Sequence, residues 1–275
     1  MTATKVFRWS AVLAIATVAT TARADGPFPD KNLETAVRAV LKHEPNVELT
    51  DEKLQNVYVL EAVGKEIKDL TGLEKCKNLA LLRLSKNQAA DLKPLKDLKN
   101  LQSLDLAENQ IADLSPLAGL KSLQYLELSK NQIVDLAPLA GLTDLSALYL
   151  GGNKIEDVNP LASLTKLASL GLGGNRVKDA GAIEKLTKLS TLDLRDNLIE
   201  DVRPLTKQPD LKLLMIERNQ VKDLTPLIEA AKADAAGAKL FAPYLRLYLD
   251  GNPLPEAGRS SQLEALKATG VRVEG

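Results

Sequence analysis

Aromatic residues are the first shortage of this sequence: Phe, Trp and Tyr together supply 3% of its 275 residues, although 45% are apolar. A core with so few large rings must be assembled from many equivalent aliphatic contacts, and Leu supplies them. The only cysteine is Cys76, so no internal disulfide can form and the chain ends must be closed by packing. The only histidine is His43, with no nucleophile or metal-ligand cluster beside it in sequence. It reads as a solvated residue near the end of a helix, where the helix dipole favours it. Neither sign of charge dominates, since 36 Lys and Arg stand against 36 Asp and Glu. Long apolar runs are missing too: the one candidate, Trp9 to Ala19, is too short to span a bilayer comfortably.

That run sits inside a processing signal. Lys5 and Arg8 give a basic start, and Ala22-Arg23-Ala24 matches an A-x-A cleavage site, so residues 1–24 are expected to be a signal peptide cut near Ala24. The alternative is an uncleaved membrane anchor. Cleavage removes Lys5, Arg8 and Arg23 and no acid, leaving 33 basic against 36 acidic residues, a mildly acidic chain that disfavours nucleic acid as a partner. No cysteine marks the cleavage site for a lipid anchor. The expectation is a secreted or periplasmic protein without a membrane span.

What the sequence has in abundance is repetition. Asn87, Asn109, Asn131, Asn153, Asn175, Asn197 and Asn219 recur every 22 residues without a slip. Around each lies the pattern L-x-x-L-x-L-x-x-N-x-I-x-D-L-x-P-L-x-x-L, clearest at Leu101 to Leu120 and Leu123 to Leu142. This is a leucine-rich repeat. Leu104 and Leu106 flank one residue that faces away from them, the period of a short strand with its Leu pair turned inward. Asn109 ends that strand, where its amide can bond the turning backbone of its own coil and the next. A metal reading of the Asn column is weak, because an amide is a poor sole ligand.

A second column holds Asp69, Asp91, Asp113, Asp135, Asp157, Asp179, Asp201 and Asp223. Aligned carboxylates could bind calcium, but most are followed three residues later by Pro, as in Asp113-Leu114-Ser115-Pro116. There Asp caps a short helical turn that Pro opens. A coil of 22 residues has room on its convex side for a 3₁₀-like turn and not for a full helix.

The array is expected to cover residues 57–257, about nine coils. Its first coil is degenerate: Lys65 replaces Asn, Gly72 replaces Pro, and Cys76 falls in a Leu column, so Cys76 reads as a small buried apolar side chain. Residues 25–56 should form a helical cap. Asp30 starts a helix with Leu33, Val37, Val40 and Leu41 on one face, and Thr50 starts a second short turn; without such a cap the first coil would expose its core. From Asn219 to Asn252 there are 33 residues, one repeat plus 11. An insert at 228–243 should be a convex-side helix capped at Thr225-Pro226, followed by a strand from Tyr244 to Leu249. Residues 258–275 should close the end, with Leu263 and Leu266 of a helix over 261–268 facing in. Ala180-Gly181-Ala182, without proline, and Gln208, in a Leu column, mark irregular packing.

Phe28-Pro29-Asp30 with Asn32-Leu33, then Asp69-Leu70-Thr71-Gly72-Leu73-Glu74 and Cys76, then N-Q-I-x-D-L-x-P-L repeats, resemble the internalin-type repeats of bacterial secreted proteins over nearly all of the chain after residue 24. The resemblance implies a curved solenoid that binds a protein partner on its concave sheet. Internalins of Gram-positive bacteria often add an immunoglobulin-like domain and a wall-sorting tail, neither of which is found in this sequence. Partner identity, host-cell invasion and wall attachment are therefore not carried over. The same repeat type also resembles the regulatory repeat subunit of an intracellular protein phosphatase, which the expected signal peptide disfavours.

The fold class expected is thus an α/β repeat: a right-handed leucine-rich repeat solenoid with a parallel concave sheet, short 3₁₀ turns on the convex side, and helical caps. Residues flanking the second Leu of each strand point to the concave side. One column runs Val59, Leu81, Ser103, Tyr125, Ala147, Ser169, Thr191, Leu213, Arg246, and the next Glu61, Arg83, Asp105, Glu127, Tyr149, Gly171, Asp193, Met215, Tyr248. Nine strands make a surface roughly 40 Å long, suited to a protein or long polymer. The candidate partner-binding residues are Arg83, Asp105, Tyr125, Glu127, Tyr149, Gly171, Asp193, Met215 and Tyr248. Tyr125 and Tyr149 would wall a recess among Ala147, Gly151, Gly152, Ser169, Gly171, Gly173 and Gly174, anchors of the kind that carry binding energy; alternatively the glycines only fit tight strand ends. Glu61, Arg83 and Asp105 alternate in sign and should pair across strands.

Asp105 and Glu127 form a like-charged pair that could attract a cationic side chain, or act as a glycosidase acid and nucleophile. An open, wet sheet offers little burial to raise one acid's pKa, which weighs against catalysis. The function expected is a non-enzymatic protein-binding module, monomeric and without cofactor or metal. The alternatives are a carbohydrate or cell-wall binder and a structural surface protein without a specific ligand.

Overall fold

In the computed structural model, which describes residues 26–274, each coil contributes one three-residue strand to a single open parallel sheet. The strands are β1 (Val59–Glu61), β2 (Leu81–Arg83), β3 (Ser103–Asp105), β4 (Tyr125–Glu127), β5 (Ala147–Tyr149), β6 (Ser169–Gly171), β7 (Thr191–Asp193), β8 (Leu213–Met215), β9 (Arg246–Tyr248) and β10 (Arg272–Glu274). They lie in chain order, and from β1 to β8 every pair is in 22-residue register, as in Ser103↔Tyr125 and Asp105↔Glu127. The solenoid is as the repeat requires, but with ten strands rather than nine, because the chain after the last repeat returns to pair β10 with β9. The expected signal peptide lies outside the described residues. Among the described residues no helix is long and apolar enough to cross a membrane.

A single coil shows why the fold holds. Leu101, Leu104, Leu106, Ile111, Leu114, Leu117 and Leu120 are all 1% exposed or less, and burying each is worth about 1.5–3 kcal/mol. Three 3₁₀ residues, Ser115–Leu117, turn the chain on the convex side with Pro at their start. The Asp column opens the convex segment of eight coils, seven with a 3₁₀ turn and the eighth with a helix: Asp113 Oδ1 accepts from the Ser115 N–H at 2.8 Å, and its seven equivalents do the same two residues on. Asp therefore stands one residue before the formal cap position, which Leu114 occupies.

The Asn column corrects the expected direction. Asn131 Nδ2 donates to Leu128 O of its own coil at 2.9 Å and to Leu106 O at 3.0 Å, while its Oδ1 accepts from Ile111 N at 3.0 Å. Leu106 and Ile111 belong to the preceding coil, not the next. Each Asn is at most 9% exposed from Asn87 to Asn219, so it satisfies backbone groups that water cannot reach. The residue before each Asn is left-handed: Lys86, Glu108, Lys130, Asp196 and Arg218 have φ between 52° and 58°, and Gly152, Gly174 and Gly251 occupy the equivalent positions.

At the start of the array, α1 (Lys31–Leu41) and α2 (Asp51–Leu54) form the cap. Asp30 Oδ1 accepts from Asn32 N and Leu33 N, as expected, and its Oδ2 accepts from Lys68 N and Asp69 N of the first coil. One carboxylate thus caps the helix and fastens it to the solenoid. Burial opposes the charge on Asp30, but these four N–H groups outweigh it and hold the pKa below the usual carboxylate value. Leu33 and Val37 are buried and Leu41 packs against the core, but Val40 is 40% exposed, so the apolar face is narrower than expected. Phe28 is fully buried against Gly72, whose φ is +102°. A Cβ there would lie 2.5 Å from the Phe28 ring and 2.4 Å from Pro27 O, so no other residue replaces Pro at this point.

Cys76 is fully buried, and that burial pushes its thiol pKa up to about 12. His43 follows the left-handed Lys42 just past the end of α1, its N–H donating to Arg38 O.

At the far end, α3 (Thr225–Ala236) and α4 (Glu256–Lys267) replace the regular turns. Helix α3 starts three residues before the expected insert. Thr225 is its first residue rather than its cap, and Asp223 bonds the Thr225 N–H. The chain returns from α3 through Asp234, whose carboxylate accepts from Leu240 N, Phe241 N and Ala242 N. Helix α4 begins five residues earlier than expected, with Leu266 buried and Leu263 partly so. Gln208 is 2% exposed; its Nε2 donates to Ile183 O at 2.8 Å, while Oε1 has no hydrogen-bond partner.

Candidate functional site

In β2 to β8 the middle Leu is buried and its neighbours are partly or fully exposed, except Gly171, which is buried; the two predicted columns thus share one face. Register then decides which candidates meet. Asp105, Glu127, Tyr149 and Gly171 lie side by side on β3 to β6, with Arg83 beside Asp105 and Tyr125 two residues from Glu127 on β4. These six make one patch. Tyr248, on β9, is four strands from Tyr149, about 19 Å at the usual strand spacing, and Met215 lies one strand short of it. The nine candidates therefore share a face but not a single site.

The Tyr125 and Tyr149 rings are 5.8 Å apart and tilted by 53°, the separation and inclination of an attractive aromatic pair. Both are half-buried. The small residues beside them are partly occupied space rather than an open recess. A Cβ on Gly171 would stand 3.0 Å from Tyr149 Cδ1, and one on Gly173 would stand 3.1 Å from Asp193 Oδ1. These glycines let the tyrosine ring and the Asp193 carboxylate lie close to the sheet. Gly152 and Gly174 sit in the left-handed column that Lys and Glu fill elsewhere.

The charges sort into paired and unpaired groups. Arg83 Nη1 donates to Glu61 Oε1 at 3.0 Å. Asp105 does not join that pair, contrary to the expected alternation: its Oδ2 accepts from the Ser85 hydroxyl at 3.0 Å and its Oδ1 from Ala107 N at 3.1 Å. A strand-end N–H and a neighbouring hydroxyl satisfy it locally. Glu127 Oε1 accepts from Ser129 N at 2.7 Å. Burial raises the Glu127 pKa above its ordinary value, Ser129 opposes the shift, and the Asp105 charge adds to it. Burial also raises the Tyr125 hydroxyl, with the Glu127 and Asp105 charges acting in the same sense.

Asp193 is bound by Arg195 through two bonds, Nε to Oδ1 at 2.9 Å and Nη2 to Oδ2 at 2.7 Å, so it is neutralised within the chain. This pair was missed in the sequence, although residues two apart on a strand share a face. Glu217, on the same face, has an Oε2 that is buried without a hydrogen-bond partner. The Arg246 guanidinium lies 5.6 Å from the centre of the Tyr248 ring and reaches Glu274 of β10 at 3.8 Å.

Comparison with known proteins follows the same geometry. The family model described as Leucine Rich repeats (2 copies) matches residues 77–119, 99–141, 121–163 and 165–207. No curated protein matches the chain significantly. Among solved structures, internalin C2 of Listeria monocytogenes is 37% identical, with a TM-score of 0.70 over 73% of this chain and 89% of that one. The Listeria monocytogenes internalin inlF is 26% identical over 93% of this chain and 95% of that one, with a TM-score of 0.58. A leucine-rich repeat protein of Leptospira interrogans is 25% identical, with a TM-score of 0.58 over 82% of this chain and 51% of that one.

Proposed function

Because this chain belongs to the internalin-like leucine-rich repeat proteins, we propose that it is a non-enzymatic, exported protein that binds another protein on the concave face of its sheet. Leucine-rich repeat domains generally mediate protein–protein interaction, and this fold is typically a binding scaffold rather than an enzyme. The observation that carries the reading is the Tyr125–Tyr149 pair, 5.8 Å apart and half-buried on a sheet of ten strands. Rigid aromatics at the centre of a wide face are the residues that dominate binding energy in protein interfaces. A length of about 43 Å, from nine intervals of about 4.8 Å, suits a protein surface better than a metabolite. Export rests on the basic start, apolar run and A-x-A site of residues 1–24, a signal that would send the working chain to the periplasm or outside the cell.

The test is affinity capture with the immobilised chain, followed by titration of a single stoichiometric protein partner against Tyr149→Ala. The substitution is expected to weaken binding by about 2 kcal/mol or more, while loss of the ring pair lowers the melting temperature by only a few degrees. Unaltered affinity removes the patch. Turnover of a polysaccharide or peptidoglycan substrate that vanishes in Glu127→Gln would overturn the non-enzymatic reading. Cell fractionation checks export.

A further inference from the structure

We propose that the concave face between β3 and β5 receives a lysine or arginine side chain presented by the bound protein. This rests on the protein-binding reading above and names the chemistry the partner brings to it. Most charges on the face are already paired within the chain. Glu61 is paired with Arg83 at 3.0 Å, Asp193 with Arg195 at 2.7 Å, and Glu274 with Arg246 at 3.8 Å. Glu217 has no ion pair among the described residues, but its charge acts on Arg195. Asp105 and Glu127 also have no ion pair among the described residues, and they lie directly opposite each other in the β3–β4 register. Like charges facing each other on adjacent strands destabilise a sheet. They are also fixed in place, because the Ala107 and Ser129 N–H groups anchor them at 3.1 and 2.7 Å.

A fixed pair of carboxylates, neither of them ion-paired among the described residues, is complementary to one cation, and the surroundings say which kind. Glu127 is in register with Tyr149, and the Tyr125 ring packs against Tyr149. Aromatic faces attract an ammonium or guanidinium as it leaves water, and carboxylates bond it with charge assistance. A long aliphatic stem capped by a cation satisfies both at once, its methylenes lying along the rings and its head between Asp105 and Glu127. Lys and Arg are the side chains with that form.

The test is selection from a displayed library of random dodecapeptides on the purified full chain. Enriched peptides should share a Lys or Arg, lose binding when it is replaced by norleucine, and bind at least tenfold more weakly to Asp105→Asn and Glu127→Gln. Peptides lost in Tyr149→Ala but without a common basic residue, or indifferent to the two carboxylate substitutions, overturn the cation proposal while leaving the concave-face reading standing. A library with no binder sensitive to any of the three overturns both. Folding supplies an independent reading: relief of like-charge repulsion should keep the melting temperature of Asp105→Asn and Glu127→Gln equal to or above that of the parent. If both fall, the carboxylates are structural and the proposal fails.

Discussion

Replacement of one interior ladder residue, Asn131→Ala, tests the physical account of the solenoid most directly. The substitution removes an acceptor from Ile111 N and donors from Leu106 O and Leu128 O, at 3.0, 3.0 and 2.9 Å. All three groups are buried, since Asn131 is itself only 8% exposed. A buried polar group left unpaired costs about 1–3 kcal/mol. Three such groups, with some relaxation of the turn, give an expected loss of about 4 kcal/mol, a large share of the 5–15 kcal/mol typical of a folded protein. Equilibrium urea unfolding followed by far-ultraviolet circular dichroism measures it, and the melting temperature should fall by roughly 10 °C. The control is Lys65→Ala, at the ladder position that holds no amide, expected within about 0.5 kcal/mol of the parent. A loss below about 1 kcal/mol for Asn131→Ala, or equal losses for the two, would refute the claim that the amides complete the coils.

Three further outcomes follow from the cap and the first coil. Asp30→Ala should lower stability by about 2 kcal/mol at neutral pH, at the upper end for a helix cap, because the same carboxylate also holds Lys68 and Asp69. The folded pKa of Asp30 is depressed, so its contribution is present above the unfolded value of about 3.9 and disappears as pH falls through the folded value; unfolding measured from pH 7 to pH 3 should show the two proteins converging. Gly72→Ala should destabilise by about 2 kcal/mol or more, from the left-handed φ of 102° and the overlap with Phe28, and a neutral result in thermal unfolding would contradict it. Cys76, buried with its thiol pKa at about 12, should resist iodoacetamide at pH 8 in the folded chain and react fully in urea, as read by intact mass.

The repeat made most of the architecture legible, because one argument about Leu104, Leu106 and Asn109 serves every coil. The strand columns fell in the expected register for the same reason: period-2 alternation and a fixed 22-residue spacing leave no freedom. What the sequence hid was direction and reach. Nothing in an Asn column says whether the amide turns to the coil before or after it. The Asp carboxylate bonds the N–H two residues on, which makes Thr225 the first residue of α3 rather than its cap. Arg272 to Glu274 carries no repeat signature, so β10 was invisible until the chain was seen to return to the sheet. At the candidate site the face was readable but the partners were not. Asp105 took the Ser85 hydroxyl and left Arg83 to Glu61, and Asp193 was claimed by Arg195.

The backward reach of the Asn amides also sets an order of assembly. The turn of each coil is finished by a residue supplied by the following coil, as Asn131 finishes the one containing Ile111 and Asn252 the one containing Val221. A ribosome delivers the chain from the other end, so a nascent array always carries one unfinished coil at its growing tip, with backbone groups awaiting their amide. Each new repeat seals its predecessor and leaves the same vacancy one step further on. Growth of this kind has no natural length, and a stop needs a segment that does not repeat: α4 and β10, which follow Asn252 and belong to no coil of the series.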